Sequence, residues 1–208
     1  MGNADFETNI ETKGRTAKSA TEHADAVIKF LEKQDGKQPF FAYVAPPVPH
    51  DPRLAPAKFH AMSDPAQLTL AKNFLPEHPF DNGELSVRDE LLAGFPRTPE
   101  EIRRHNAEYF AMITHLDAQI GRILATLESR GFADNTVIVL AGDNGLAIGR
   151  HALMGKQNLY DHSVRVPLIL AGPGIPAGLR SAAWVYPLDI FPTLCDLCGT
   201  ARPASCPL

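Results

Sequence analysis

The residues with the clearest chemical potential follow an apolar run, Thr136-Val-Ile-Val-Leu-Ala-Gly-Asp143-Asn144-Gly145. Such a run is typical of a buried strand, and open α/β sheets keep their active sites at the carboxyl ends of their strands. Carboxylate and amide oxygens are the ligands that Ca²⁺ and Mg²⁺ prefer, so Asp143 and Asn144 are candidate metal ligands. The sequence Asp143-Asn144-Gly145 is also typical of a simple turn. Two oxygens supply only part of a calcium coordination shell, which has about six to eight ligands.

Basic and glycine residues follow this pair along the chain. Lys156 stands between Gly155 and Gln157, and His151 precedes it in the same stretch. Glycines let a backbone approach a ligand closely, and lysine supplies a positive charge, so this segment predicts a cradle for an anionic group. The alternative is an ordinary solvated surface lysine.

A further candidate is His50, which lies in Pro46-Pro-Val-Pro-His50-Asp-Pro. The prolines stiffen this loop and can present the imidazole at the edge of the sheet, ready to donate a proton. A histidine that only faces solvent is the equal alternative. The remaining histidines show no metal-type spacing and receive no role.

Several other chemistries have no support in the sequence. The string Cys195-Asp-Leu-Cys198 has zinc-like spacing but lacks a second ligand pair, which favours thiols on an apolar helix. The chain contains no P-loop, no G-x-G-x-x-G turn after a strand and no G-x-S-x-G elbow, which argues against nucleotide binding and serine hydrolysis.

Composition narrows the class of protein. The 208 residues carry a formal charge of −4, which argues against a nucleic-acid partner. No apolar stretch reaches the roughly 18–20 residues that a membrane span requires. The first residues are too polar for a signal peptide, so the sequence leaves localisation open. No linker or internal repeat divides the chain, and we expect one domain.

Periodicity predicts the elements that position these residues. Residues 16–33 form an amphipathic helix, and residues 40–45 form a short central strand. The connection 46–97 is rich in proline and aperiodic, which is typical of a segment that covers a site. A long helix begins at Thr98, with Pro99 at its first position and Glu101 completing a capping box.

In this second helix an apolar stripe continues to Leu127, and Gly131 stops it. Strands follow at 136–141 and 166–171, and a helix spans about 187–197. This order of elements predicts an α/β fold, a layered sandwich with a largely parallel central sheet flanked by helices.

Together these segments resemble the sulfatase family of the alkaline-phosphatase-like superfamily. The resemblance rests on residues 40–45 with 49–52, 109–121, 134–145, 149–156 with 159–160, 165–168 and 189–194. It implies an alkaline-phosphatase-like fold that is incomplete at both ends, with residues 1–208 forming part of a sulfatase-type catalytic domain.

The resemblance also implies roles for the candidate residues. Asp143 and Asn144 are expected to ligate a divalent metal, usually calcium, with magnesium as the alternative. Lys156 and His50 are expected to hold the sulfate and its bridging oxygen, with His151 close to the same pocket. The implied substrate is a small-molecule or carbohydrate sulfate ester, whose developing negative charge needs a metal and fixed cations.

One part of the family pattern is missing. Sulfatases carry a Cys/Ser-x-Pro-x-Arg motif whose first residue becomes formylglycine, and the nearest string here, Ser205-Cys206-Pro207, lacks that order and lies at the wrong end. Two further metal-binding aspartates of the family also have no counterpart. We therefore expect little or no turnover by this chain alone, and an apolar sheet edge that is prone to association.

Two other functions stay open from the sequence. A phosphate or phosphonate ester hydrolase of the same superfamily needs a similar cage, and the Asp-Asn pair does not separate the two. A non-catalytic remnant that keeps the fold without the reaction is the third possibility, supported by the missing motif.

Overall fold

The elements described here come from a computed structural model, which describes residues 15–203. The helices, in chain order, are α1 Ser19–Lys33, α2 Ala57–His60, α3 Pro99–Ser129, α4 Asp161–Val164 and α5 Ile190–Leu197. The strands are β1 Ile138–Ala141 and β2 Leu168–Ala171. Single-turn 3₁₀ helices lie at Pro65–Gln67, Glu90–Leu92, Ala133–Asn135 and Pro187–Asp189. None of the described helices combines the length and apolarity needed to cross a membrane.

The long helix α3 begins where the sequence predicts it. The side chain of Thr98 accepts a hydrogen bond from the backbone N–H of Glu101 at 3.2 Å, and Pro99 occupies the first helical position. The helix ends at Ser129, and Gly131 follows with φ of 72°. A left-handed glycine at this point satisfies carbonyls that the helix itself cannot pair.

The buried face of α3 differs from the predicted apolar stripe. The sequence pattern places Phe110, Ile113 and Leu124 in that stripe, but all three are exposed in the described structure. The buried side chains are Ile102, His105, Ala107, Ala111, Met112, His115, Gln119 and Leu127. Small alanines allow close packing against α1, and the buried polar groups find partners: His115 Nε2 lies 2.9 Å from the hydroxyl of Thr21.

Two core clusters flank α3. The first joins α1, α2 and α3 around Phe59 and Met112. The second joins the first turns of α3 to a distant loop, with Ile102 packed among Ile148 and Met154. This second cluster places residues 146–154 against a rigid helix, which fixes the loop that carries the candidate site residues.

The two predicted strands exist, but they do not form the predicted parallel sheet. Within the described residues β1 and β2 make one two-stranded antiparallel sheet, with Ile138 opposite Ala171 and Ala141 opposite Leu168. The connection between them leaves and returns at the same end of the sheet, which requires opposite strand directions. The layered, largely parallel sheet is therefore not confirmed.

The predicted strand at 40–45 is wrong for this structure. These residues pair with no other described strand. Phe41 and Tyr43 are 77% and 84% exposed. Phe40 alone is anchored, with its ring 5.8 Å from that of Phe30 and 5.7 Å from that of Phe132. An apolar run becomes a strand only where a neighbour pairs its backbone groups.

The last predicted helix is confirmed. A 3₁₀ turn at Pro187–Asp189 runs directly into α5. Cys195 is buried on this helix and Cys198 just after it is exposed, both as free thiols. Cys206, with the string Ser205-Cys206-Pro207, lies outside the described residues.

Candidate functional site

The connection between β1 and β2, residues 142–167, is here named the site loop. Two backbone hydrogen bonds close its neck, from Gly142 N–H to Pro167 O at 3.1 Å and from Gly145 N–H to Ser163 O at 2.9 Å. A Cβ on Gly145 would lie 1.9 Å from the carbonyl oxygen of His162. Only glycine fits there, so Gly145 allows the two arms of the loop to approach.

Asp143 and Asn144 emerge from the end of β1 at this neck. The backbone N–H of Asn144 donates to Asp143 Oδ1 at 2.9 Å. The pKa of Asp143 is lowered, first by hydrogen bonding to the Asn144 side chain and in smaller part by the positive charge of Lys156. Asn144 Oδ1 is buried without a hydrogen-bond partner among the described residues. An ionised carboxylate beside an unpaired amide oxygen suits a hard cation.

These two residues supply only part of a metal shell. The described chain contains no group of three or more His, Cys, Asp or Glu residues that could hold a metal ion. Asp143 and Asn144 therefore supply oxygen ligands of the kind that Ca²⁺ and Mg²⁺ prefer. A complete coordination shell needs further ligands.

Lys156 follows a glycine that packs against a neighbouring segment. A Cβ on Gly155 would lie 2.6 Å from Gln157 Oε1 and 2.9 Å from Asp89 Cβ. Lys156 donates its backbone N–H to Gln157 Oε1 at 3.0 Å. Lys156 is half-buried as a residue, and its side-chain ammonium makes no hydrogen bond or ion pair with the described residues. A fixed backbone with an unpaired ammonium is suited to binding an anion.

His151 is held in an unusual backbone conformation. Its φ is 54°, and Ile148 and Ala152 nearby have φ values of 43° and 63°. Its ring stacks on Tyr160 with centroids 4.2 Å apart, and its Nε2 lies 2.9 Å from the side-chain amide nitrogen of Asn73. Left-handed conformations in non-glycine residues are costly and cluster at functional sites.

Two further imidazoles surround His151. His78 donates from Nδ1 to the carbonyl oxygen of His151 at 2.7 Å, and the rings of Tyr160 and His162 lie 5.5 Å apart. Burial, followed by the nearby charges of His151 and Arg150, lowers the pKa of His162 to about 4. The sequence suggested no role for residues 78 and 162, because no regular spacing connects them to residue 151.

His50 stands apart from the site loop. Its Nδ1 lies 3.2 Å from Asp51 Oδ1, and Asp51 forms an ion pair with Arg88. No hydrogen bond or ion pair between described residues joins His50 directly to Lys156 or Asp143. Asp143, Asn144, His151 and Lys156 thus lie on one loop, and His50 lies on another.

A buried ion pair that the sequence did not suggest supports the site loop. Glu90 Oε2 accepts from Arg97 at 2.7 Å, and these residues are only 3% and 1% exposed. Glu90 also accepts the backbone N–H groups of Met154 and Gly155, each at 2.8 Å. Charged residues are rarely buried unless paired, and the aperiodic segment 46–97 offered no local signal for this pair.

Comparison with known proteins identifies the family of this chain. The Sulfatase family model matches residues 2–200. The choline-sulfatase of Rhizobium meliloti (strain 1021) is 34% identical over 170 residues, which cover 79% of this chain and 32% of that protein. Arylsulfatase K of Mus musculus is 30% identical over 202 residues, covering 88% of this chain and 35% of that protein. The chain thus spans about a third of the length of these curated relatives.

Solved structures give the same result for the fold. The phosphonate monoester hydrolase of Agrobacterium radiobacter superposes with a TM-score of 0.78 at 29% identity, covering 90% of this chain and 40% of that one. The phosphonate monoester hydrolase of Silicibacter pomeroyi gives 0.73 at 30% identity, covering 91% and 40%. With a family match across nearly its whole length, this chain belongs to the sulfatase family of the alkaline-phosphatase-like superfamily.

Proposed function

We propose that this chain carries part of the catalytic domain of a metal-dependent sulfuric ester hydrolase. The observation that supports this most directly is the site loop, which leaves β1 with Asp143 and Asn144 and returns past Lys156. The charge of Lys156 contributes to the lowered pKa of Asp143, so the candidate cation ligand and the candidate anion ligand lie within electrostatic reach. Sulfate ester hydrolysis needs both kinds of group together.

Asp143 and Asn144 are the proposed metal ligands. Calcium is the first candidate and magnesium the second, because both take oxygen ligands. When bound, such a cation supplies positive charge that stabilises the negative charge developing on the sulfate oxygens. The lowered pKa of Asp143 keeps its carboxylate ionised and able to bind a cation.

Lys156, His50 and His151 are the proposed polar contacts of the ester. Lys156 donates from its ammonium to a non-bridging sulfate oxygen, since that group has no partner among the described residues. His50, whose Nδ1 lies 2.5 Å from Arg15 Nη1 and 3.2 Å from Asp51 Oδ1, presents Nε2 as the donor to the bridging oxygen and assists departure of the alcohol. His151, fixed by Tyr160, adds a third polar contact.

We also propose that residues 1–208 are one part of a larger layered domain. The support is the share of the relatives' length that the chain covers, together with the exposed apolar residues Phe41 and Tyr43. In the complete domain, additional strands pack beside β1 and β2 in a largely parallel sheet. The nucleophile, a formylglycine in this family, and the remaining metal ligands come from outside the chain described here.

The proposed substrate is a small-molecule or carbohydrate sulfate ester. A phosphonate monoester is the second candidate, because hydrolases of that class superpose with TM-scores of 0.78 and 0.73 at 29% and 30% identity. Both esters present tetrahedral oxyanions that a cation and a lysine can stabilise, so the choice between them needs a direct measurement.

The test is an assay of the protein expressed from its complete reading frame. 4-Nitrophenyl sulfate and the 4-nitrophenyl monoester of phenylphosphonate are compared, each with calcium, with magnesium and after chelation. We expect faster hydrolysis of the sulfate and loss of activity on chelation. Faster hydrolysis of the phosphonate favours the second candidate, and a folded protein that cleaves neither favours a non-catalytic remnant.

A substitution links the activity to the proposed anion ligand. We expect Lys156→Met to lower kcat/KM by about 10²–10³, the usual cost of removing one donor to a developing oxyanion. Lys37→Met is the matched control, because Lys37 has a side chain that is 83% exposed and pairs with Asp35, far along the chain from the site loop. Equal activities of the two variants contradict the role of Lys156.

A further inference from the structure

The segment Arg88-Asp89-Glu90, in which Asp89 and Glu90 are buried and Arg88 is exposed, contacts both loops that carry the candidate site residues. Glu90 accepts the N–H groups of Met154 and Gly155, the two residues immediately before Lys156. Asp89 Oδ2 accepts from Gln157 Nε2, just after Lys156, at 3.1 Å. Lys156 therefore lies between two contacts to consecutive residues of one segment, through the backbone N–H groups before it and through the side chain of Gln157 after it.

The carboxylate of Glu90 is fully engaged. Oε1 accepts from Gly155 at 2.8 Å, while Oε2 accepts from Met154 at 2.8 Å and from Arg97 at 2.7 Å. Buried carboxylates accept several N–H bonds only where the structure holds the donors in place. Glu90 therefore supports a single arrangement of the chain at 154–155.

Arg97 strengthens this arrangement from the other side. Its Nε donates to the carbonyl oxygen of Ala152 at 3.0 Å, and its second terminal nitrogen pairs with Glu90. Its guanidinium stacks over the ring of Phe95 at 3.7 Å. A planar guanidinium in a fixed environment constrains its partners in direction as well as distance. The left-handed segment around His151 is thus tied to the same ion pair that holds residues 154–155.

The same segment reaches the loop of His50. Arg88 forms ion pairs with Asp89, at 2.8 Å, and with Asp51. Asp51 in turn lies 3.2 Å from the His50 ring nitrogen. A continuous series of ion pairs and hydrogen bonds therefore connects the His50 loop to the site loop through residues 88–90, although the two candidate residues share no direct contact among the described residues.

We propose that Glu90 is a positioning residue, which with Arg97 fixes the backbone at Met154 and Gly155 and so holds Lys156 for anion binding. Arg88 and Asp89 extend the same function to His50 and Gln157. This inference rests on the proposed function for the role of Lys156, but the backbone constraint is a separate and separately measurable property. A buried ion pair is not by itself stabilising, and the bonds of Glu90 to two consecutive N–H groups favour a geometric role.

The test compares backbone order with anion binding in the 208-residue chain. Amide hydrogen exchange of Met154 and Gly155 is measured by NMR in the unsubstituted chain and in Glu90→Gln. Inorganic sulfate is then titrated, and its dissociation constant is followed through the Lys156 amide signal. In Glu90→Gln we expect exchange at residues 154–155 to accelerate by at least about tenfold and sulfate to bind about tenfold more weakly.

Met112→Ala is the matched control. Met112 is fully buried, but it belongs to the core cluster of α1, α2 and α3, which contains no residue of the site loop. This variant lowers global stability, and we expect it to leave the sulfate dissociation constant of the folded chain unchanged. A role of Glu90 in stability alone predicts the same behaviour for both variants.

A second variant covers the case in which Glu90→Gln fails to fold because Arg97 is left unpaired. The double variant Glu90→Gln/Arg97→Gln removes both charges of this buried pair, yet it offers the two N–H groups only one amide oxygen. Unchanged exchange at residues 154–155, or unchanged sulfate affinity, in a folded variant overturns the proposal. Absence of sulfate binding in the unsubstituted chain counts against the proposed anion site, while the exchange measurement still decides the constraint on the backbone.

Discussion

At the scale of single residues, hydrogen-bond partners show which charged side chains stabilise the fold and which are available to bind a ligand. All three guanidinium nitrogens of Arg97 donate to buried acceptors, so this cation is committed to the fold. The ammonium of Lys156 has no partner among the described residues and stays available to a ligand. A buried charge needs compensation from its surroundings, whereas a half-exposed one can exchange water for a substrate.

Asp143 allows a direct test of the proposed cation site. We expect Asp143→Asn to weaken binding of Ca²⁺ to this chain by at least about tenfold, or about 1.4 kcal/mol, because the substitution removes the carboxylate charge and retains the side-chain size. Isothermal titration calorimetry provides the measurement. Asp161→Asn is the control, since Asp161 lies in the same loop with a side chain that is 80% exposed. Similar losses in both variants indicate a general charge effect and argue against a site.

At the scale of elements, the start of α3 determines the path of the site loop. Gly149 has φ of 92°, and a Cβ there would lie 2.3 Å from Ile102 Cγ2. Ile102 belongs to the second core cluster with Ile148 and Met154. The helix therefore acts as a rigid surface on which a strained loop is packed, and the strain is balanced by burial of these apolar side chains.

Gly149→Ala tests this packing. We expect a loss of about 2–4 kcal/mol in the free energy of unfolding, from steric overlap with Ile102 together with a left-handed backbone. Gly121→Ala is the control, because Gly121 lies within α3 and a Cβ there meets nothing within 4 Å. We expect that change to stabilise the chain by up to about 1 kcal/mol. Urea unfolding measures both, and effects of the same sign contradict this account of the loop.

His105, on the buried face of α3, makes stability depend on pH. Burial, followed by the charges of Arg53 and Arg104, lowers the pKa of His105 from 6.5 to about 4. Between these values the unfolded chain binds a proton that the folded chain does not, so stability falls as pH decreases from 6.5 towards 4.

Protonation of His105 is expected to reduce the free energy of unfolding by at most about 3 kcal/mol. This loss is absent well above pH 6.5 and nearly complete near pH 4. We expect His105→Gln to reduce the slope of unfolding free energy against pH in this window, while His162 and His115, whose pKa values are also lowered by burial, contribute to the remaining dependence. His23→Gln, on α1, is the control. Urea unfolding across this pH range provides the measurement, and an unchanged slope in His105→Gln rules out this explanation.

At the scale of the whole molecule, apolar side chains remain on the surface near the C-terminal helix. Trp184 is 97% exposed, and Tyr186 and Leu188 are 65% and 73% exposed. Clusters of this kind are typical of surfaces that pack against other protein. The observation agrees with the proposal that this chain is one part of a larger domain.

The isolated 208-residue chain is therefore expected to self-associate. We expect the weight-average sedimentation coefficient to rise with protein concentration, and Trp184→Ser with Leu188→Ser to reduce this rise, because the apolar area that drives association is smaller. Leu159→Ser is the control, since Leu159 is 92% exposed but lies in the site loop. A chain that sediments as a monomer at all concentrations refutes this prediction.

Local patterns in the sequence determined the three longer helices and the family. The cap at Thr98, the period of α1 and the apolar runs at β1 and β2 are short-range signals, and each of these elements is present in the structure. The motifs that carry the family resemblance are also local strings. The assignment of roles to Asp143, Asn144, His50, His151 and Lys156 stays a prediction until the experiments above are done.

Only the tertiary structure decided which residues meet. Glu90 and Met154 are 64 positions apart, and neither lies in a pattern that predicts their contact. The antiparallel pairing of β1 and β2, like the exposure of residues 40–45, depends on which strands are available as neighbours. The periodicity of apolar residues indicates which face of a single helix or strand is buried. The ion pairs and imidazole contacts around the site loop join residues that are distant in sequence, so they depend on the path of the whole chain.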